Sequence, residues 1–439
     1  MFTIFLPQIT SRTEYIFEYI FTQQLGINFT TTSDQTAFEK YAGEKMNYSA
    51  YRFNNELFIA AHPLLLKRNI ETQNVPVVEL NGIKVLFPND NSCDLGFDIF
   101  SAVFYMLSRY EEYLPFIPDL YGRFNVADSL AEKNNFLQMA VVDRWLNRFK
   151  IILKKQFLAL RFKASKFEAL LTYDIDVAYK FKGRGWMRTA GSIIKDLGRG
   201  NYKNIRTRFN VIQNKAKDPW DTYDYIEELL AKNNLPSIFF FLLGDTSKHD
   251  RNLDPQNPLM KKLVNKIASF SQIGIHPSFI TSSCPEKILI EKERLEELSN
   301  KIIIRSRQHF LKFNLPETYN ALIATGIKED YSMGFPHANG FRAGTSKPFY
   351  FYDLKNEKIT DLKIFPVTCM DATFIYYSKK TPEKSLVEVL DLLKEIKMVG
   401  GTFISIFHND HLGKTYEKKS WKSVHNNMIT QIKANLKKE

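Results

Sequence analysis

The second part of the chain alternates between short apolar runs and segments with the spacing of amphipathic helices. This rhythm begins near residue 167 and is typical of parallel β/α units. The apolar runs that predict strands cover residues 167–173, 237–243, 272–276, 302–307, 362–368 and 402–408. Helical spacing is found between them at residues 220–232, 283–300 and 384–398. The pattern therefore predicts an α/β fold built around a parallel sheet.

The first part of the chain mixes strand and helix patterns without that regular rhythm. Apolar runs predict strands at residues 57–60, 77–80 and 83–87, and helical spacing is found at residues 14–24, 97–112 and 141–157. A chain of 439 residues is long enough for two cores. We therefore predict a smaller N-terminal α/β domain over residues 1–165, to which we assign no chemistry, and a second domain over residues 166–439.

Positive charge is concentrated in one segment. Lys and Arg total 60 against 48 Asp and Glu, and eleven of these bases lie within residues 180–217 beside a single acid, Asp196. Apolar residues such as Trp186 and Ile194 are interspersed among the bases, a mixture typical of surfaces that meet an anionic membrane. Two interpretations stay open: a solvated basic insertion, or a surface that approaches an anionic glycolipid or membrane. Nucleic acid is disfavoured because no helix-turn-helix, zinc-finger or RNA-binding motif accompanies the charge.

The sequence carries no pattern for export or for a membrane span. The first residues are interrupted by Pro7, Arg12 and Glu14, and no run of about 18 apolar residues occurs. Three isolated cysteines offer neither a disulfide framework nor a zinc knuckle. We therefore expect a cytoplasmic protein, peripheral to the membrane if the basic segment contacts lipid.

Chemistry-bearing side chains gather at the carboxyl ends of the predicted strands. Seven of the eight histidines lie in the second half, and β/α barrels keep their active sites at this end of their strands. The first strand ends with Asp174 and Asp176, whose spacing places both carboxylates on one face. Adjacent carboxylates repel unless a cation or a proton intervenes, so a metal on one and a proton-accepting role for the other would fit. An acidic strand end that caps a helix or loop is the alternative.

Two further strand ends carry basic side chains. His276 ends an apolar strand and is followed by a proline, although a single histidine there is equally consistent with a satisfied core or loop residue. If the strand over residues 302–307 continues, Arg305, Arg307 and His309 share one face. Such a face suits an anionic or metal-bearing site, while a surface edge strand is the alternative interpretation.

Five short motifs add up to a resemblance. They are Thr172-Tyr173-Asp174-Ile175-Asp176, Gly274-Ile275-His276, Gly340-Phe341-Arg342-Ala343-Gly344, Met370-Asp371 and Ile404-Ser405-Ile406-Phe407-His408. In order and approximate spacing they resemble the polysaccharide deacetylase, or NodB-homology, family over about residues 166–412. The resemblance implies a distorted (β/α) barrel that hydrolyses N-acetyl or O-acetyl groups on sugars with one divalent metal. The N-terminal part looks like the domain that precedes such barrels in some bacterial proteins.

The resemblance also implies roles for individual residues. The implied catalytic residues are Asp174 as general base, Arg342 as the residue that holds the base, His408 as general acid and Asp371 as the residue that orients His408. The implied metal ligands are Asp176 and His276. We further assign substrate binding to Arg305, Arg307 and Phe341. These roles agree with the chemistry of the residue types, since a metal polarises the acetyl carbonyl, a carboxylate takes a proton from water, and an imidazole protonates the departing amine.

One position departs from the family pattern. The family supplies a second metal histidine four residues after the first, where this chain has Ile280, which cannot ligate a metal. We predict that His309 fills the place, because its strand is expected beside the one that ends at His276. The alternatives are His337, His411 and Asp410. Zinc is the expected metal, with cobalt, nickel and manganese also compatible with an Asp/His site.

The sequence therefore predicts a metal-dependent hydrolase that removes acetyl groups, N-acetyl above all, from a sugar, a polysaccharide precursor or a glycolipid. Because of Ile280, a catalytically silent barrel that binds a glycan or scaffolds a biosynthetic complex is the alternative. Release of acetate from acetylated sugars, with and without a chelator, separates the two. A basic nucleic-acid-binding protein is a third interpretation, and it leaves the acids and histidines at the strand ends unexplained.

Overall fold

The α/β class predicted from the sequence is confirmed in a computed structural model, which describes residues 1–89, 93–413 and 421–437. The strands are β1 (Phe2–Phe5), β2 (Phe29–Thr32), β3 (Lys45–Ser49), β4 (Leu57–Ala60), β5 (Val77–Leu80), β6 (Ile83–Leu86), β7 (Glu168–Ile175), β8 (Ser237–Phe241), β9 (Gln272–Ile275), β10 (Arg305–Ser306), β11 (Glu329–Asp330), β12 (Phe349–Asp353), β13 (Lys358–Ile364), β14 (Cys369–Met370) and β15 (Thr402–His408).

The central sheet of the described residues contains nine strands in the order β12-β13-β11-β10-β9-β8-β7-β15-β14. Neighbouring strands are parallel except for the antiparallel pair β12–β13. Within the described ranges no pairing joins the end strands β12 and β14, so the sheet is observed as an open row and closure into a barrel stays a prediction. Because the strands run in parallel, the carboxyl ends of β7, β9 and β15 meet at one edge.

Helices occupy most of the connections between these strands. They are α1 (Ser11–Phe17), α2 (Gln35–Lys40), α3 (Ile99–Leu107), α4 (Leu130–Lys133), α5 (Val141–Gln156), α6 (Trp186–Gly198), α7 (Tyr202–Ile212), α8 (Tyr223–Asn233), α9 (Pro258–Phe270), α10 (Lys287–Ser299), α11 (Glu317–Ala324), α12 (Pro382–Val399) and α13 (Trp421–Leu436). In the described part of the chain, no helix has the length and apolar character needed to cross a membrane. The basic segment forms α6 and α7, between β7 and β8.

Helix ends show where local sequence signals are reliable. At α12 the Thr381 side chain accepts a hydrogen bond from the Lys384 backbone, and Gly400 ends the helix with a positive φ of 65°. The start of the helix predicted over residues 283–300 is wrong, because α10 begins only at Lys287. The Ser283 hydroxyl instead donates back to the Ile280 carbonyl, so it does not cap the helix.

Strand β8 shows why the site rests on a rigid base. All five residues of this strand are buried. Ile238 and Phe240 face a small core that also contains Ile406, whereas Phe239 and Phe241 belong to the large core of the molecule. The period of two therefore gives β8 an apolar layer on each face, and the small core lies on the same face as the side chains of the site.

The N-terminal part contains a separate parallel sheet with the order β2-β1-β3-β4. It packs on the second part through the large hydrophobic core, which includes residues of both parts. Buried polar contacts also join them: the Asp143 carboxylate accepts hydrogen bonds from Thr345 and Ser346 at 2.7 Å, and Arg144 pairs with Glu395. The predicted boundary between residues 165 and 166 stays a prediction.

Candidate active site

A cleft of about 310 Å³ opens at the carboxyl edge of the central sheet. Its lining includes the side chains that the sequence placed at strand ends, namely Asp174, Asp176, His276, His309 and His408. The register explains this meeting, because His408 of β15 lies directly beside Asp174 of β7. Five chemistry-bearing residues that are far apart in sequence therefore face one space.

The two carboxylates lie on the same side of the chain, as predicted, while Ile175 between them is buried in the large core. Asp174 is buried, and its Oδ2 lies 3.7 Å from Nε2 of His276. Asp176 keeps 31% of its side chain exposed, and its Oδ1 lies 3.2 Å from the same nitrogen. Nε2 of His276 thus lies near both carboxylates.

The orientation of His276 is fixed from behind. Its backbone N–H donates to the Phe241 carbonyl at 2.9 Å, continuing the pairing of β8 with β9. Its Nδ1 lies 2.5 Å from the Arg307 carbonyl oxygen, which can only accept. The neutral ring therefore carries its proton on Nδ1 and turns the lone pair of Nε2 toward Asp176.

The strand before His309 lies beside the one before His276, as predicted, because β10 pairs in parallel with β9. His309 itself follows β10 and begins a short 3-10 helix, His309–Leu311. Its Nε2 lies 3.4 Å from Asp176 Oδ2, and its ring centre lies 5.0 Å from that of His276. On the other side, Nδ1 of His309 donates to Asp250 Oδ1 at 2.9 Å. The sequence pattern did not indicate Asp250, because this residue lies in a loop without a strand signal and contacts His309 only in the folded chain.

Asp176, His276 and His309 form what we call the ligand cluster. One donor atom from each lies within 4.8 Å of the others. Oδ1 of Asp176 is buried and accepts no hydrogen bond from any described residue, which is a costly arrangement unless another group satisfies it. One carboxylate and two imidazoles are also a donor set found in catalytic zinc sites, and a carboxylate behind one histidine is their usual support. The residues present therefore fit a divalent metal.

Charge coupling within the ligand cluster is strong. Burial on its own would raise the pKa of Asp176, but the neighbouring His309 and His408 hold that pKa well below its ordinary value. Burial would lower the pKa of His309, but Asp176 and Asp250 raise it to about 9. The carboxylates therefore stabilise positive charge at this position, whether the charge is a proton or a metal.

Arg307 is the residue that holds Asp174. The assignment of this role to Arg342 is therefore wrong. Nη1 of Arg307 donates to Asp174 Oδ1 at 2.7 Å, and its Nε donates to the Tyr331 carbonyl. The guanidinium lies 4.4 Å from the ring centre of Phe240, in the small core. Arg307 is fully buried, so it keeps the carboxylate in a fixed orientation.

Arg342 instead joins the two parts of the chain. Its Nε and Nη2 donate to the Glu112 carboxylate at 2.9 and 2.6 Å. The preceding Gly340 has a positive φ of 138°, and a Cβ there would lie 2.4 Å from the Leu137 carbonyl oxygen. The segment around Arg342 therefore packs against the N-terminal part, and Glu112 of that part binds the Arg342 guanidinium.

The other assigned substrate contacts also lie outside the cleft. Arg305 pairs with Glu329 at 2.8 Å, and Phe341 is buried in the large core. Arg307 acts on the cleft through Asp174 and does not line it. The strand pattern could not show that these residues lie outside the cleft, because β10 is only two residues long and the chain turns at Phe310, where φ is 63°.

A second cluster, which we call the proton-donor cluster, consists of Asp371, His408 and His411. Nδ1 of His408 donates to Asp371 Oδ1 at 2.7 Å, so Asp371 does orient this ring. Nδ1 of His411 donates to Asp371 Oδ2 at 2.8 Å, a contact that the spacing from His408 alone did not reveal. Nε2 of His408 is directed to the ligand cluster and lies 3.6 Å from Asp176 Oδ2.

The proton-donor cluster favours the charged imidazole. Burial on its own would lower the pKa of His408, but the carboxylates of Asp371 and Asp176 raise it well above its ordinary value. Burial would raise the pKa of Asp371, but His408 and His411 hold it below its ordinary value. His408 can therefore hold a proton at its Nε2, where the cleft is accessible.

The remaining candidates for the third metal ligand lie farther out. Ile280 is 41% exposed and does not line the cleft. His337 lines a different cavity and lies 3.9 Å from Asp119. His411 and Asp410 do line the cleft, but Asp371 takes Nδ1 of His411. His309 is therefore the histidine that the fold brings to Asp176 and His276.

Comparisons with known proteins give partial similarities. A family model described as a family of unknown function (DUF7033) matches residues 2–158. No curated protein matches the chain. A solved structure described as a polysaccharide deacetylase from Mycobacterium smegmatis is similar at 14% identity, with a TM-score of 0.40 over 62% of this chain and 85% of that chain.

Two further solved structures are similar over smaller parts. A mutant of a CE4 family pseudoenzyme from Bacillus anthracis, with restored enzymatic activity, has 13% identity and a TM-score of 0.33 over 61% of this chain and 63% of that chain. A de-N-acetylase from Aggregatibacter actinomycetemcomitans has 10% identity and a TM-score of 0.22 over 38% of this chain and 88% of that chain. At such identities, the activity of this chain has to be argued from its own residues.

Proposed function

We propose that this protein is a metal-dependent hydrolase that removes acetyl groups, N-acetyl in the first place, from a sugar, a polysaccharide precursor or a glycolipid. One observation carries the proposal. Asp176 lies between two oriented histidines, with Oδ1 3.2 Å from His276 and Oδ2 3.4 Å from His309, and its buried Oδ1 is unsatisfied by the described residues. A second carboxylate, Asp174, lies 3.7 Å from His276. A metal-binding carboxylate beside a separate proton acceptor is the arrangement that hydrolysis of an amide requires.

Asp176, His276 and His309 are the residues that would hold the metal, with zinc as the expected ion. When bound, such an ion polarises an acetyl carbonyl and makes a bound water more acidic. His276 is supported for this task by the Arg307 carbonyl and His309 by Asp250. These partners fix the tautomers that leave both Nε2 atoms available.

Asp174 is proposed as the general base. Arg307 holds its Oδ1, so Oδ2 is the oxygen directed to His276. That oxygen accepts the proton of the attacking water. The ion pair with the buried arginine keeps the carboxylate in one orientation throughout the reaction, so no reorganisation is needed when the proton moves.

His408 is proposed as the general acid. Asp371 binds its Nδ1, which stabilises the imidazolium and leaves Nε2 as the atom that gives a proton to the departing amine. The cleft walls include the rings of Phe310, Tyr376 and Tyr377, which offer flat apolar surfaces against which a sugar ring can pack. Asp174 and His408, which lie side by side on neighbouring strands, would then both reach one acetamido group.

Acetate release from N-acetylglucosamine oligomers tests the proposal. We expect release by the zinc-loaded protein, loss of release with a chelator, and recovery when zinc is added back. Asp174→Asn should lower the rate by about 10²- to 10⁴-fold with the metal content unchanged. His337→Ala, which changes a histidine of a different cavity, is the matched control. Glycan binding without any acetate release from N- or O-acetylated sugars would instead favour the catalytically silent alternative.

A further inference from the structure

The hairpin formed by α6 and α7 presents an apolar stripe that nothing in the described chain covers. Helix α6 buries none of its residues. Trp186 is 78% exposed, Met187 and Ile194 are each 69% exposed, and Leu197 is 51% exposed. At about 100° per residue these four side chains fall within an arc of about 100° on one side of the helix. Such a stripe normally faces a core, but here it faces outward.

The hairpin is held in a definite arrangement despite this exposure. Asp196 of α6 pairs with Arg208 of α7 at 2.7 Å, and the Arg208 guanidinium lies 4.8 Å from the ring centre of Phe181. At the base of the hairpin, the buried Asp218 carboxylate accepts hydrogen bonds from the backbone of Phe181 and Lys182. The two helices are therefore joined through polar contacts, and the apolar stripe is left free for another surface.

The charge of the hairpin indicates what that surface is. Its single acid, Asp196, is already paired with Arg208, so the uncompensated charge of residues 180–217 is strongly positive. Exposed bases lie on the polar side of α6, in the connection and on α7, namely Arg188, Lys195, Arg199, Lys203 and Arg206. Helix α7 adds the exposed apolar side chains Tyr202, Phe209 and Ile212.

We propose that the α6–α7 hairpin docks on an anionic phospholipid membrane. The apolar stripe enters the boundary between headgroups and acyl chains, where tryptophan is favoured, and the exposed bases of the hairpin attract the anionic headgroups. A nucleic acid would use the bases but leave Met187, Ile194 and Leu197 in water, so it explains only half of the surface.

The position of the hairpin links the membrane to the cleft. A second cavity at the root of the hairpin is lined by Arg184 and Trp186, together with Val177 and Arg251. Val177 and Arg251 also line the catalytic cleft. Docking would therefore hold the mouth of the cleft close to the lipid surface, and a sugar linked to a lipid would be the preferred substrate. This last consequence rests on the proposed function, whereas docking itself does not.

Co-sedimentation with vesicles tests the docking. We expect the full chain to bind vesicles of phosphatidylcholine mixed with phosphatidylglycerol, to bind vesicles of phosphatidylcholine alone weakly, and to be released by salt. The double variant W186A/I194A should bind about tenfold more weakly. The control I151A/I302A removes two equally exposed apolar side chains elsewhere and should bind like the unchanged chain.

A second pair of variants separates charge from apolar insertion. K195E/R199E should lose the preference for phosphatidylglycerol, whereas K154E/K155E, at the end of α5, should retain it. Circular dichroism melting verifies that each variant is folded. Vesicle binding that is absent, indifferent to phosphatidylglycerol or unchanged in W186A/I194A would overturn the proposal. The proposal would also be overturned if the chain does not bind vesicles but self-associates or binds duplex DNA, and these variants abolish that association.

Acetate release distinguishes failure of docking from failure of the proposed function. On a soluble acetylated sugar, W186A/I194A should match the unchanged chain. On an acetylated glycolipid in phosphatidylglycerol vesicles it should be about tenfold slower, because less of it is at the surface. If vesicle binding follows the predicted pattern and no acetate is released from either substrate, docking stands and the proposed function fails.

Discussion

The ligand cluster and the proton-donor cluster contain the same residue types, one aspartate and two histidines, but their carboxylates are used differently. Asp371 accepts hydrogen bonds from the backbone and the ring of His408, from His411 and from the backbone of Ala372. Oδ1 of Asp176 accepts none from the described residues. A carboxylate whose oxygens both accept hydrogen bonds from the protein stabilises an imidazolium, whereas a carboxylate with a buried, unsatisfied oxygen is available to a metal.

The hydrogen bonds that orient the histidines also differ between the two clusters. In the ligand cluster each histidine donates its Nδ1 proton outward, to the Arg307 carbonyl or to Asp250, so both Nε2 atoms lie toward Asp176. In the proton-donor cluster both histidines donate inward, to the shared Asp371. The direction of these hydrogen bonds, which composition does not show, thus distinguishes the two clusters and supports the metal-binding and proton-donating roles proposed for them.

The largest effect is expected for Asp176→Asn. The carboxamide lacks the negative charge, and it would leave His276 and His309 as the remaining pair of donors. Zinc content after purification should fall to background, and acetate release should fall by about 10³-fold or more. Metal analysis together with acetate release measures both effects. Asp371→Asn is the matched change in the other cluster, and it should retain the zinc; equal loss in both variants would erase the distinction.

His408→Ala should separate chemistry from metal binding. Without the general acid, the rate of acetate release should fall by about 10²- to 10⁴-fold, because the amine must depart without a proton. Zinc content should not change, since the three proposed ligands, Asp176, His276 and His309, are all retained. Loss of zinc from this variant would move His408 into the ligand cluster.

Asp250→Asn tests the support behind the ligand cluster. The amide keeps the shape but weakens the hydrogen bond from His309, so the affinity for zinc should fall by about 10- to 100-fold in a chelator competition. His411→Ala removes the corresponding outer histidine of the proton-donor cluster and should leave this affinity unchanged. A drop for His411→Ala alone would reverse the roles assigned to the two clusters.

The smallest effect concerns Glu291, which lies behind the chain that follows His276. Its carboxylate accepts hydrogen bonds from the backbone and hydroxyl of Ser278, and burial raises its pKa from 4.5 to about 7, with nearby Asp250 adding to the increase. Between these two values the folded chain holds one proton more than the unfolded chain, so the free energy of unfolding falls as pH rises.

Glu291→Gln removes this dependence. Relative to the unchanged chain, the free energy of unfolding of the variant should improve by about 2–3 kcal/mol between roughly pH 5 and pH 8. Chemical denaturation at the two pH values measures the change. Glu297→Gln changes an exposed position on the same helix. The free energy of unfolding of this control should differ from that of the unchanged chain by the same amount at both pH values. A parallel pH dependence for Glu291→Gln and the unchanged chain would show that Glu291 titrates normally.

Much of the fold could be predicted from the sequence because apolar alternation decides it locally. The runs predicted over residues 57–60, 77–80 and 402–408 are strands with those bounds. The run over residues 302–307 gives only the short β10, since the chain leaves the sheet and turns at Phe310 with a positive φ. Hydrophobic pattern does not reveal such a turn at a residue other than glycine.

The site was predictable where it depends on strand ends and unpredictable where it depends on distant partners. Asp174, Asp176, His276 and His309 meet because parallel strands bring their carboxyl ends to one edge. Arg342, however, is captured by Glu112, which is 230 residues away in sequence. No local signal marks that pair, so only the folded chain shows that Arg307 holds Asp174.

Anomalous diffraction from crystals grown with zinc would show whether the ligand cluster holds the metal. We expect one strong zinc peak in contact with Asp176 Oδ1 and with Nε2 of both His276 and His309, and no peak at Asp371. A peak held by Asp371, His408 and His411, or the absence of any peak beside Asp176, would contradict this expectation.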